Sequence, residues 1–289
     1  MDQRIIDLYM EYTHAPLRRR VFLDRLAMLV GGTAATSALL PLIENNYALA
    51  AVVDPDDARL VTGSGGYAAG VVDVAYYVAR PAESSGPWPA VLVIHENRGL
   101  NPHIEDVARR VALEGYLAIA PDMLSSLGRT LPDEDAARGL FGRLDNAAVV
   151  SEVQAGLVHL AERQDTTGRN GIVGFCWGGG QVNNVTAHPA SEHLHAAVAY
   201  YGPTPSPSSA ASVTAPLLLH YAGNDNFVNS GIADYTGALT AAGKTFEAHT
   251  YEGVQHAFNN DTNAARYNAE AAALAWSRTV EFFVRHLKS

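Results

Sequence analysis

The sequence predicts an α/β protein with a mostly parallel central sheet and helices on both of its faces. Three observations carry this. Apolar runs of strand length alternate along the chain with segments of helical periodicity. Several of those runs are apolar at every position, as strands covered on both faces require, and turn residues separate the segments.

Taken in order, residues 70–80 (GVVDVAYYVAR) alternate as a half-exposed early strand, and AESSGPWP closes it. Residues 90–96 (AVLVIHE) form a strand apolar on both faces. Residues 103–116 place Ile104, Val107, Ala108, Val111 and Ala112 at helical spacing, with Gly115 at the C-cap. A strand follows at 117–122. Residues 146–163 read as a helix with Val149, Val153, Leu157 and Leu160 on one face. NGIVGFC is a strand running into a glycine cluster, and 196–202 and 216–223 are further strands. A helix over 232–243, a strand over 245–253 and a long helix over 266–287 complete the alternation. Residues 55–289 are expected to form one catalytic domain, with residues 1–54 as an N-terminal extension.

The chain has 289 residues, 48% of them hydrophobic and 17% charged, which suits a domain with a sizeable core. Its 20 basic and 30 acidic residues give a net charge of −10, and no basic stripe follows the first 25 residues, so a nucleic-acid partner is not expected. One cysteine excludes an intrachain disulfide and leaves the compartment unsettled. For the extension two readings stand side by side. Arg18-Arg19-Arg20, Val21-Phe22-Leu23, a weak apolar run and Ala48-Leu49-Ala50 resemble a twin-arginine export signal, with a mature start near Ala51. Alternatively, Ile5, Ile6, Leu8 and Tyr9 form the apolar face of an ordinary helix, and Asp24 is an odd charge for a signal. Cleavage would place the protein in the periplasm or outside the cell; retention would leave it in the cytoplasm. A permanent membrane span is not expected, because Gly31, Gly32, Thr33, Thr36, Ser37 and Pro41 interrupt the run from Leu26 to Ile43.

In open parallel sheets ligands bind beyond the carboxyl ends of the strands. Four such ends carry reactive groups: Glu96-Asn97-Arg98-Gly99, Cys176, Asp225 and His256. Gly174-Phe175-Cys176-Trp177-Gly178 has the form of a nucleophile elbow with sulfur in place of the serine oxygen. The glycines suit a sharp strand-to-helix turn with no room for a Cβ, and the following helix N-terminus favours a thiolate. A thiol nucleophile needs a base, and the base an orienting acid. Cys176, Asp225 and His256 follow in the chain order nucleophile, acid, histidine that α/β-hydrolases use. Elbow geometry aims the backbone N–H of Trp177 at the developing oxyanion, with Asn97 N–H as the second donor.

The stretches VIHENRGLNPHIEDVARRVALEGYLAIAPDM, GIVGFCWGGG, LLLHYAGNDNFV and YEGVQHAFNN resemble the dienelactone hydrolase (carboxymethylenebutenolidase) family of the α/β-hydrolase superfamily. The resemblance implies an α/β-hydrolase fold and attack on an ester or lactone by Cys176, with His256 as base and Asp225 orienting it. It also implies that Glu96 contacts the resting cysteine; from chemistry alone a carboxylate would oppose thiolate formation, and an ion pair with Arg98 or a helix arginine is the plainer role. Two family arginines that hold a substrate carboxylate are replaced by Ser126 and Asn260. Arg98 or Arg129 could stand in, and Arg98, Ser126, Tyr201 and Asn260 are the candidate substrate-binding residues. The expected substrate is a neutral or differently charged small ester or lactone.

No cofactor is expected. No GxGxxG turn appears, and His193 and His195 lack further ligands at metal spacing, so no metal is expected either. A second copy of the chain is the one macromolecular partner left open. The competing function is a non-hydrolytic thiol sensor or binding protein on a hydrolase scaffold, although no second cysteine is present to resolve an oxidised one.

Overall fold

The strands that are apolar throughout lie at the centre of one eight-stranded sheet. The computed structural model describes residues 1–289 except 16, 48–51, 84–85, 190 and 289. β1 (Leu60–Ala69), β2 (Val72–Pro81), β3 (Trp88–Ile94), β4 (Leu117–Pro121), β5 (Thr166–Phe175), β6 (Ala196–Tyr200), β7 (Leu217–Asn224) and β8 (Phe246–Gln255) assemble in the order β1-β2-β4-β3-β5-β6-β7-β8. β1 and β2 pair antiparallel, as do β2 and β4, and every pair from β4 onward is parallel. β4 and β6 are buried along their whole length, which is why they lack alternation. This is the mostly parallel, helix-flanked sheet the sequence predicts.

β1 was not expected. LVTGSGGYAA is glycine-rich and mostly exposed, so it carries no hydrophobic period to read. It is an edge strand held by its hairpin with β2, turned at Gly70, whose φ is +62°.

α4 (Pro102–Leu113) and α9 (Ala269–Leu287) cover one face of the sheet; α6 (Asn146–Glu162), α7 (Trp177–Thr186) and α8 (Ile232–Ala241) cover the other. Local chemistry sets their starts. The Asn101 side chain accepts from Ile104 N–H, Asp145 caps α6, and Asn268 accepts from Ala271 N–H. The Asn268 cap starts the last helix at residue 269 rather than 266. A short helix absent from the sequence reading, α5 (Glu134–Phe141), follows Asp133 as its cap.

The extension folds into α1 (Gln3–His14), α2 (Arg19–Val30) and α3 (Thr33–Ile43). Leu8, Tyr9, Tyr12, Phe22, Leu26 and Ile43 form a separate apolar cluster, in which Tyr12 stacks on Phe22 with centroids 4.4 Å apart. It docks on the larger domain through polar contacts: Tyr12 Oη donates to Asp135, Arg138 donates to Tyr12 O, and Asn263 Nδ2 donates to Ile43 O at 2.6 Å. Ala48-Leu49-Ala50 and Ala51 lie outside the described residues. Among the described residues no single helix is long and apolar enough to cross a membrane; α2 and α3 reach that length and composition only jointly, across a bend of 111°.

Two stability predictions follow from particular contacts. A Cβ on Gly178 would meet Ile94 O and His95 O at 2.5 Å, and backbone there cannot yield cheaply. Gly178→Ala is expected to lower stability by about 3 kcal/mol or more, read as a fall in thermal midpoint. Asp261 accepts from His103 Nδ1 at 3.1 Å and from Arg110 at 2.5 Å, tying the segment after β8 to α4. Burial alone would raise its pKa, but the bond from His103 and the Arg110 charge outweigh burial and lower it. A depressed carboxylate stabilises the fold above its unfolded pKa and stops doing so as pH falls through its folded one. Asp261→Asn should therefore cost about 1–3 kcal/mol near neutrality and flatten the acid limb of stability against pH. Equal losses at every pH would contradict this.

Candidate active site

Cys176 sits between β5 and α7 with φ at +53° and ψ at −114°, a strained conformation for a residue with a side chain. Its N–H donates to Tyr200 O at 3.0 Å. The glycines around it behave as an elbow requires. A Cβ on Gly174 would lie 2.3 Å from Gly178 O, and one on Gly179 would lie 2.7 Å from Tyr200 O. Trp177 is the first residue of α7, so its N–H belongs to the four donors that a helix leaves without intrahelical partners. The Trp177 ring is stacked on His95 and edge-on to Phe141, with centroids at 5.5 and 4.8 Å.

Asp225 follows β7 directly and His256 follows β8 directly, and β7 and β8 are adjacent parallel strands. That adjacency brings His256 Nδ1 to 2.6 Å from Asp225 Oδ2, with both residues 2% exposed. Asp225 Oδ1 accepts from Val228 N–H at 3.2 Å, which fixes the carboxylate. Burial works to lower the His256 pKa, but the Asp225 carboxylate and the Cys176 sulfur outweigh it and raise it. His256 Nε2 is buried and has no hydrogen-bond partner among the described residues. A ring nitrogen of His256 lies within 4.8 Å of Cys176 Sγ.

The hydrogen-bond contact of Cys176 Sγ comes from elsewhere. His14 Nε2, at the end of α1, lies 3.3 Å from it. His14 also packs edge-on against His256 (centroids 4.8 Å) and against Phe227 (4.7 Å). Burial, and then the neighbouring His256, hold its pKa well below the usual histidine value. Thr13 O accepts from Asn97 Nδ2 at 2.8 Å, so the same turn of α1 also holds the loop after β3.

Glu96 is placed differently from the family expectation. Its Oε2 accepts from Asn260 Nδ2 at 2.8 Å and its Oε1 from Tyr201 Oη at 3.4 Å. Burial and the Glu96 charge push the Tyr201 phenol well above its usual range, keeping it a donor. Glu96, Tyr201 and Asn260 are thus one buried hydrogen-bonded group. Nor does Glu96 pair with Arg98: Arg98 faces Glu134 at 3.5 Å, and its Nη1 is buried without a hydrogen-bond partner among the described residues. Ser126 is exposed on a 3-10 turn at Ser125–Leu127 and does not line the cavities around Cys176; Arg129 is exposed as well. Arg266, which the sequence reading did not single out, joins Arg98, Glu96, Cys176 and His256 around a narrow cleft.

A larger cavity of about 570 Å³ opens beside the sulfur, lined by Leu17, Phe141, Trp177, Pro203 and Phe227 together with Cys176, and by Arg18 and Arg138. Thr13, His14 and Ala15 form part of its wall. No sequence signal linked residue 14 to residue 176, because the contact spans 162 residues.

The eight-stranded sheet, the strained residue between strand and helix, and the histidine–aspartate pair at neighbouring strand ends define a hydrolase of the α/β-hydrolase fold. Residues 74–287 match the model of the dienelactone hydrolase family. The chain belongs to that family, and with it to the hydrolases of carboxylic esters and lactones. A relative in Escherichia coli K12, provisionally named a carboxymethylenebutenolidase, is 36% identical over 250 residues, covering 81% of this chain and 90% of its own. A hydrolase fragment of the same strain, YghX, is 49% identical over 110 residues, covering 37% of this chain and 94% of the fragment. A crystal structure from Klebsiella pneumoniae, provisionally titled a dienelactone hydrolase, superposes with a TM-score of 0.69 at 31% identity, covering 78% of this chain and 99% of that one. Family membership displaces the non-hydrolytic alternative.

Proposed function

We propose that the protein hydrolyses small, largely apolar carboxylic esters or lactones through an acyl intermediate on Cys176. The observation that carries this reading is the Cys176 elbow facing His256, whose Nδ1 is held by Asp225 at 2.6 Å. His256 takes the thiol proton of Cys176 as the sulfur attacks the carbonyl carbon, and the oxyanion is received by the N–H groups of Trp177 and Asn97. The tetrahedral intermediate collapses as His256 donates a proton to the leaving alkoxide oxygen. His256 then takes a proton from water, which attacks the thioester and frees the acid and the thiol. Asp225 keeps the imidazole oriented and stabilises its charged form.

The 570 Å³ cavity is mostly apolar, with Arg18 and Arg138 also in its wall, and its apolar part favours an uncharged acyl or alcohol group. Ser126 cannot hold a substrate carboxylate from its exposed turn, and Asn260 and Tyr201 are committed to Glu96. In a panel, neutral aryl and alkyl esters and neutral lactones should be turned over faster than their carboxylate-bearing analogues. Turnover of p-nitrophenyl acetate should be lost after alkylation with iodoacetamide and protected by prior substrate. Full activity in the alkylated protein would refute a cysteine nucleophile.

The extension belongs to the site in the same reading, because Thr13, His14, Ala15 and Leu17 form one wall of the cavity. Protein purified from a fractionated native host should retain Thr13, His14, Ala15 and Leu17. A start near Ala51 would support export and leave a site without that wall.

A further inference from the structure

We propose that His14, Cys176 and His256 form a binding site for a thiophilic divalent cation, Zn²⁺ by its donor chemistry, and that the bound cation shuts the hydrolase off. The inhibitory half rests on Cys176 being the nucleophile; the binding half does not. One ring nitrogen each of His14 and His256 lies with Cys176 Sγ in a cluster whose atoms are all within 4.8 Å of one another, and His14 Nε2 is 3.3 Å from the sulfur. Tetrahedral zinc with bonds of about 2.3 Å to sulfur and about 2.0–2.1 Å to nitrogen sets its ligand atoms roughly 3.3–3.6 Å apart. Only a small closing of the cluster is needed.

A cysteine beside histidines is not by itself a site, but two further features make this one. His256 Nε2 is buried and meets no hydrogen-bond partner among the described residues, while its other nitrogen is taken by Asp225. Both imidazoles also have their other nitrogen fixed: His256 Nδ1 against Asp225 at 2.6 Å, and His14 Nδ1 within reach of Met10 O at 3.1 Å and Thr13 Oγ1 at 2.8 Å. A carboxylate or carbonyl behind each histidine is the outer arrangement that orients metal-bound imidazoles. Two imidazoles and a thiolate select zinc-like ions over the oxygen-seeking magnesium and calcium. The cavity on the open side of the cluster leaves a fourth position for water.

Binding is a ligand exchange without redox change. The thiol proton, and any proton on His256 Nε2, pass to solvent as the Zn–S and Zn–N bonds form. The sulfur lone pair that would attack a carbonyl is then held by the metal. Because His14 comes from α1, the ion would also pin the N-terminal helices to the catalytic domain, and a chelator would release both.

The test uses the full chain, stripped with chelator and titrated with zinc sulfate by calorimetry. One zinc per chain is expected, with ester turnover falling more than tenfold at saturation and returning when EDTA is added. Titration with Co²⁺ should produce a thiolate-to-cobalt charge-transfer band that Cys176→Ser abolishes. His14→Ala, and the shape-keeping His14→Gln if the alanine variant misfolds, should weaken zinc binding at least tenfold. Equal zinc affinity in wild type and a folded His14 variant, or no charge-transfer band, overturns the site. Tight zinc binding with unchanged turnover overturns the inhibitory role alone. If no ester is hydrolysed under any condition, calorimetry and the cobalt spectrum still decide the binding site separately from the hydrolase reading.

Discussion

Cys176→Ala should reduce kcat/KM for p-nitrophenyl acetate by about four orders of magnitude or more, the scale seen when the nucleophile of a triad is removed. The chain offers one thiol, and the fold sets it on a strained turn between β5 and α7. Two structural facts separate this expectation from damage to the fold. The side chain is 5% exposed and small, so alanine removes one sulfur atom from a site that already abuts a cavity. The elbow itself is set by Gly174, Gly178 and Gly179, none of which changes. Thermal stability should stay within about 1.5 kcal/mol of wild type. Activity retained to within tenfold would place the nucleophile elsewhere.

Asp225→Asn should lower kcat by about 10⁴ with little change in KM. The Asp225 carboxylate accepts from His256 Nδ1 at 2.6 Å and from Val228 N–H at 3.2 Å. An asparagine can keep the second bond through its oxygen, and then its NH₂ faces Nδ1. Nδ1 must accept, so the proton moves to Nε2 and the imidazole turns its donor toward the sulfur. It can no longer take a proton from the thiol or from water. The pair is fully buried, so water does not replace the lost charge. Normal circular dichroism with lost turnover is the expected pattern; loss of both would point to a structural role instead.

These residues were legible in the sequence for a geometric reason. In a parallel sheet the carboxyl ends of the strands face the same edge, so a cysteine, an aspartate and a histidine that each follow a strand converge there. The register of β7 on β8 then supplies the contact between Asp225 and His256. The glycines were legible because only a backbone approach such as that of Gly174 to Gly178 requires them.

Other parts left no local trace. β1 is exposed and glycine-rich, and forms because β2 is beside it. Glu96 could be assigned to the site, but its partners come from β6 and the segment after β8, through Tyr201 and Asn260. Asn260, read as the replacement of a substrate-binding arginine, is the partner of that carboxylate instead. His14 was the largest omission. The arginines and the apolar run drew attention to a signal, while the helix before them ends on the sulfur of Cys176.

The measurement that reaches the central claim most directly is the covalent one. Wild-type protein is mixed with p-nitrophenyl acetate, quenched in acid during the first turnover, and measured as intact chain and as peptides. One acetyl group per chain is predicted, on the peptide that carries Cys176 and absent from Cys176→Ala. Turnover at the same rate with an unmodified Cys176, or an acetyl group on a serine, would contradict the account.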